Sequence, residues 1–130
     1  MIHTKEEILR ILKTLDKEPA TRFESETLDF KEWVSSPKKL YKILVEYAVC
    51  FANQKGGTLV LGVKDKIRGR ENAITGCVGY NIDEIKSRIY EATDPKILVD
   101  VEELSLEDLG VTVLLVHIPK GVGIHTATDG

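Results

Sequence analysis

The sequence predicts an α+β fold in which helices pack on a mixed β-sheet. Three observations support this prediction. Residues 58–63 are almost entirely apolar, as in a central strand that is covered on both faces. Apolar residues recur at helical spacing before and after this run. Two further apolar segments near the C-terminal end, 97–104 and 111–118, have the pattern of a hairpin.

The N-terminal part predicts one helix and one strand. A helix is expected over residues 4–15, because Thr4 and Glu7 form a capping box and isoleucine and leucine recur at helical spacing. After a polar stretch, alternation of apolar and polar residues predicts a short strand over 27–33.

The second helix is predicted from Ser36 and Pro37, a cap and a first-turn proline, to the pair Gly56-Gly57. The order of helix, glycine and strand is the reverse of that in a phosphate loop, and no Lys-Ser/Thr follows, so this motif is excluded.

A third helix and the hairpin complete a sheet with its helices on one face. The remaining expected elements are a charged loop over 64–72, a short strand over 73–76 and a helix from Asn81 that stops before Pro95.

Composition limits the classes of function. The net charge of −3 excludes a protein that is basic all over, so any nucleic-acid surface must be a local patch. The two cysteines lack zinc-ligand spacing, and Cys50 is expected in the core. The three histidines form no spaced constellation. No signal peptide or membrane-spanning run is present in the sequence, which predicts a cytoplasmic protein without membrane contact.

The chain is predicted to be a single domain over residues 1–130, with an N-terminal helix over 4–15 and a core over about 20–130. Residues 124–130 have the pattern of an approach to another strand that ends on a turn. We therefore expect the domain to be the N-terminal part of a longer protein, whose C-terminal domains are missing here.

Three acids stand in or beside the first two strands: Glu24, Asp29 and Asp65. If these strands are neighbours, the carboxylates could meet at one edge, where a divalent cation would hold them together. Glu24 and Asp29 are five residues apart, so a regular strand would point them to opposite faces, and they converge only if the chain turns near Ser25 or Glu26. The alternative is that these acids are solvent-facing residues without a ligand.

Basic residues are concentrated around the same elements and suggest phosphate contacts. The alternative is an ordinary solvated charged surface. The predicted nucleic-acid-binding residues are Lys31, Lys38, Lys39, Lys64, Lys66, Arg68 and Arg70.

Several motifs resemble the Schlafen AlbA_2 domain family. Residues 24–31, Glu-Ser-Glu-Thr-Leu-Asp-Phe-Lys, are similar to its E-S-x-x-x-E-F-K opening, and residues 51–65 to its F-A-N-x-x-G-G-x-L-x-x-G-V-x-D core. Residues 74–76 resemble its I-x-G strand, and 113–119 its V-x-V-I-x-V-P strand. Asp129-Gly130 matches the turn before a further family strand.

The resemblance implies a DNA-binding domain of a transcriptional regulator, with DNA or RNA as partner. In animal Schlafens, similar domains cut transfer and ribosomal RNA with a divalent metal at three carboxylates. For this chain the resemblance therefore implies, as an alternative, an endoribonuclease that uses Glu24, Asp29 and Asp65 with Mg²⁺ or Mn²⁺. A second alternative is a non-catalytic regulatory or interaction lobe.

The sequence departs from the family pattern at two positions. Asp29 stands where the family usually has Glu, which shortens the ligand arm by one methylene, and Lys64 stands where Asp is often found. The animal enzymes surround RNA with two such lobes. A single lobe would therefore have to form a homodimer or hold RNA weakly.

Overall fold

The computed structural model describes residues 3–128, in which helices surround a four-stranded sheet. The four α-helices and one 3-10 turn are α1 (Lys5–Lys13), the turn (Ala20–Phe23), α2 (Pro37–Ala52), α3 (Arg70–Ala73) and α4 (Ile82–Glu91). The strands are β1 (Leu28–Lys31), β2 (Gly57–Leu61), β3 (Thr93–Asp94), β4 (Asp100–Leu106), β5 (Val111–Ile118) and β6 (Thr126–Ala127).

The main sheet has the strand order β1-β2-β5-β4, and β3 pairs with β6 in a separate two-stranded sheet. β1 and β2 run parallel, whereas β5 runs antiparallel to both of its neighbours, β2 and β4. All five residues of β2 are buried. The predicted mixed sheet with a central apolar strand is thus confirmed.

Helices cover both faces of the sheet, where the sequence had predicted one. α2 and α4 pack with Leu59 and Leu61 of β2 in one apolar cluster. Ile8 and Leu12 of α1 pack in a second cluster with Val60, whose side chain points to the opposite face. The apolar stripe of α1 required a partner surface, and the second face of β2 supplies it.

The turn between α2 and β2 depends on glycine. Gly56 has a φ of +77°, in the left-handed region that side chains disfavour, and its amide donates to the Phe51 carbonyl over 2.8 Å. β2 then begins at Gly57. The predicted helix-to-strand transition is therefore confirmed.

Other details differ from the sequence-based expectations. The predicted loop over 64–72 contains the start of α3, and the strand expected over 73–76 is reduced to a single bridge between Val63 and Ile74. The first hairpin strand begins at Asp100. Cys50 is exposed on α2 and not in the core.

The segment near the C-terminal end also has a defined place. The approach to a strand predicted after residue 124 forms β6, which pairs with β3. The predicted turn Asp129-Gly130 lies outside the described residues. Within residues 3–128, no helix combines the length and apolar character needed to cross a membrane.

Candidate metal and nucleic-acid site

A tight reversal of the chain before β1 brings Glu24 back beside Asp29. The Ser25 amide donates to the Leu28 carbonyl over 2.9 Å, which closes the turn. Glu24 Oε2 then accepts a hydrogen bond from the Phe30 amide at 3.1 Å, and Asp29 Oδ1 accepts one from the same amide at 2.8 Å. In a regular strand the five-residue spacing would point the two acids to opposite faces. The turn at Ser25 brings them together, as the sequence analysis required.

The chain after β2 brings Asp65 to the same place. Its path is tied to the end of β1 and to the 3-10 turn that precedes β1: the Gly62 amide donates to the Lys31 carbonyl over 2.8 Å, and the Thr21 amide donates to the Asp65 carbonyl over 2.9 Å. Because β1 and β2 are parallel neighbours, the end of β2 lies beside the end of β1. The parallel pairing is therefore what places Asp65 within reach of the other acids.

The three carboxylates meet in one half-buried cluster. One oxygen from each of Glu24, Asp29 and Asp65 lies within 4.8 Å of the others. Burial raises the pKa of Glu24 to about 8; the hydrogen bond with Asp29 and the negative charges of Asp29 and Asp65 act in the same direction, and the Phe30 amide opposes them. Without a cation, Glu24 therefore retains a proton at neutral pH.

Tyr47 is a further member of this site that the sequence reasoning missed. It lies on α2, and its phenol hydrogen-bonds to Asp29. Burial, the charge of Asp29 and this hydrogen bond raise the pKa of Tyr47 to about 12. Tyr47 belongs to the apolar stripe of α2, so its spacing indicated a core position and gave no sign of a polar partner.

The donor set fits a hard divalent cation. Carboxylate oxygens are the ligands that Mg²⁺ and Mn²⁺ prefer, and a cation would relieve the repulsion among three acids. Glu24, Asp29 and Asp65 would hold it, and such a cation can orient a phosphate group and activate a water molecule. The proton retained on Glu24 is what a bound cation would displace.

Several of the predicted phosphate-binding lysines border the carboxylate cluster. Lys31 is two residues after Asp29 on β1 and therefore shares its face of the strand. Lys64 and Lys66 flank Asp65 in the sequence. Lys66 is exposed, and Lys64 makes only a loose contact of 3.8 Å with the exposed carboxylate of Glu32.

The other predicted basic residues divide into two groups. Lys38 and Lys39 are exposed in the first turn of α2, and Arg68 is exposed in the segment after β2. Arg70 is instead engaged in the fold. Its Nη1 lies 2.5 Å from Asp108 Oδ2, its Nε donates to the Leu12 carbonyl over 3.0 Å, and only 17% of its side chain is exposed.

Comparisons with known proteins agree with this architecture. Residues 24–130 match the model of the family described as Schlafen, AlbA_2, which confirms the family predicted from the sequence. A comparison with curated proteins gives no match.

Among solved structures, the chain is similar to the solution NMR structure of the N-terminal domain of a RecG-related protein from Nitrosomonas europaea. The two chains share 20% identity with a TM-score of 0.55, over 85% of this chain and 71% of that one. At this identity the likeness concerns the fold, and it confirms the predicted α+β class.

Proposed function

The chain belongs to the Schlafen AlbA_2 family, and we propose that it is a nucleic-acid-binding domain that holds a backbone phosphate through a divalent cation. The observation that carries the proposal is the convergence of Glu24, Asp29 and Asp65 within 4.8 Å of one another. The cation would lie between these carboxylates and the phosphate.

The charges around the site support a phosphate ligand. An acidic cluster alone repels nucleic acid, but here Lys31, Lys64 and Lys66 border it, and a cation would neutralise much of its negative charge. The structural neighbour belongs to a protein related by name to the ATP-dependent DNA helicase RecG, which is a nucleic-acid context for this fold. From the family to which the chain belongs, DNA binding within a transcriptional regulator is the role that we propose first.

Fluorescence anisotropy with labelled DNA and RNA of one sequence, at low salt, tests the binding proposal. Binding should be tighter with Mn²⁺ than with EDTA, and Asp65→Asn should remove the cation-dependent part because it removes a charged ligand. Glu6→Gln is the matched control, since this exposed acid on α1 is outside the cluster. The absence of binding to either nucleic acid at low salt would refute the proposal.

A second candidate function is cleavage of structured RNA, and the spacing of the carboxylates favours it. Three carboxylates this close can hold a cation against a phosphodiester, where it supplies an activated water molecule. Tyr47 would keep Asp29 oriented through its hydrogen bond. The lysines beside the cluster would hold the neighbouring phosphates.

Incubation of the protein with transfer RNA and Mn²⁺ separates the two candidates. Cleavage that is lost on Asp65→Ala would support the nuclease, whereas binding without cleavage would leave the domain as a binding module. Cleavage that persists in Asp65→Ala would exclude these carboxylates from the reaction.

A further inference from the structure

A polar network on the α1 face of the sheet joins the N-terminal segment to three strands. The His3 amide donates to Thr58 Oγ1 over 3.0 Å, and Thr58 Oγ1 lies 2.9 Å from His117 Nδ1. His117 Nε2 lies 2.6 Å from Glu102 Oε1, so this nitrogen carries a hydrogen and, in the neutral ring, Nδ1 accepts from the Thr58 hydroxyl. Thr58 is fully buried, and 4% of His117 is exposed.

The His3 ring connects this network to the turn before β1. Its Nδ1 lies 2.7 Å from Glu7 Oε2 on α1, and its Nε2 lies 2.9 Å from Thr27 Oγ1. Because the carboxylate of Glu7 can only accept, Nδ1 donates to it, and in the neutral ring Nε2 accepts from the Thr27 hydroxyl. The side chain is 12% exposed, so α1 and the turn enclose the ring.

Thr27 closes the turn that places Glu24. The Thr27 amide donates to Ser25 Oγ over 3.2 Å, and the Thr27 carbonyl accepts from the Thr58 amide at 2.8 Å. Ser25, directly after Glu24, is bonded to Leu28 across the turn. A shift of Thr27 therefore moves Ser25 and, with it, the Glu24 carboxylate relative to Asp29.

We propose that His3 is a positioning residue for the carboxylate cluster and acts through Thr27. The inference rests on the proposed cation site, because it concerns the geometry in which Glu24 meets the other two acids. Outer partners that hold a metal ligand in place commonly contribute 10–100-fold to metal affinity. His3 acts on Glu24 through Thr27 and Ser25 and does not contact it, so we expect a loss near the lower limit, about tenfold.

Mn²⁺ affinity, measured by electron paramagnetic resonance or calorimetry, tests the proposal in a double-mutant cycle. His3→Ala and Thr27→Val should each weaken binding about tenfold, and the double variant should be no weaker than either single one, because both remove the same contact. Thr14→Ala is the matched control. It removes a hydroxyl group at the other end of α1, where Thr14 Oγ1 donates to the Ile11 carbonyl over 2.7 Å, outside the network of His3, Glu7 and Thr27.

The possible outcomes separate the inference from its premise. If the wild-type protein binds no Mn²⁺, the proposed cation site is refuted. If the wild-type protein binds Mn²⁺ and His3→Ala stays within twofold of it, only the role of His3 is refuted. Losses that multiply in the double variant, or an equal loss in Thr14→Ala, would also refute that role. Thr27→Val replaces the hydroxyl group with a methyl group of similar size and decides the matter if His3→Ala fails to fold.

Discussion

The raised pKa of Glu24 predicts an unusual dependence of stability on pH. The free carboxyl group titrates near 4.5, whereas in the folded protein the pKa of Glu24 is about 8. The folded state therefore holds a proton that the unfolded state has lost between these two values. Linkage then requires that the contribution of Glu24 to stability, fully present below pH 4.5, is lost as the pH rises to about 8.

Glu24→Gln isolates this effect. The Gln side chain can still accept from the Phe30 amide and donate to Asp29, so it resembles protonated Glu24 at every pH. Each pKa unit corresponds to about 1.4 kcal/mol. At this half-buried position, solvent screening reduces the total to about 1–2 kcal/mol. In EDTA, the wild-type protein should lose this amount relative to the variant between pH 5 and pH 8.

Thermal unfolding followed by circular dichroism provides the measurement. For a chain of this length, the expected loss lowers the melting temperature of the wild-type protein by about 4–8 °C relative to the variant. Glu26→Gln is the control, because Glu26 is two residues away and forms an exposed pair with Lys55. It should follow the wild-type curve. Parallel curves for the wild-type protein and Glu24→Gln would refute the reasoning.

A cation should reverse the loss. At pH 8, close to the pKa of Glu24, about half of the molecules have released this proton, so Mn²⁺ meets less competition than at lower pH. A hundredfold excess over the dissociation constant would add about 2.7 kcal/mol to the free energy of unfolding of the wild-type protein. Glu24→Gln lacks one charged ligand and should gain less at the same concentration.

Two further predictions concern the basic residues and the first residue of β2. Arg70→Ala should lower the free energy of unfolding by about 1–3 kcal/mol in denaturant titrations, because it removes a largely buried charged hydrogen-bonding group. Arg68→Ala should leave stability unchanged. It should instead lower the slope of the logarithm of the nucleic-acid binding constant against the logarithm of the salt concentration by about one, which corresponds to one lost phosphate contact. The opposite assignment of the two effects would contradict the structure. Gly57→Ala should lower the free energy of unfolding by about 1–3 kcal/mol, since the new methyl group would lie 2.7 Å from the Thr27 carbonyl oxygen. Gly123→Ala is the control and should have little effect, because a methyl group there would have no neighbour within 4 Å. Equal melting temperatures for these two variants would argue against the close approach.

The elements that the sequence predicted well depend on local patterns. The apolar stripe of α2, the caps at Thr4 and Asn81, and the apolar run of β2 each require only neighbours along the chain. The motifs of the family are also local, so the family match was predictable. The polar partner of Tyr47 was not predictable. An aromatic residue on an apolar stripe has the pattern of a core residue, and only the structure places Asp29 beside it.

The roles of the charged residues depended on distant contacts. Arg70 had the appearance of a phosphate ligand, but Asp108, 38 residues later, holds it in the fold. The histidines showed no regular spacing in the sequence, because His3 and His117 are joined through Thr58. This threonine is 55 residues from His3 and 59 from His117. Such separations carry no periodic signal in the sequence.

By itself, the sequence determined the helices, the buried strand and the identity of the three acids, since periodicity and capping are properties of short segments. Only the tertiary structure decided that the acids form one site. Strand pairing and the turn at Ser25 set the distance between Glu24, Asp29 and Asp65. The raised pKa of Glu24 follows from that distance and from burial. Mutual repulsion and desolvation exist only once the chain has brought the charges together.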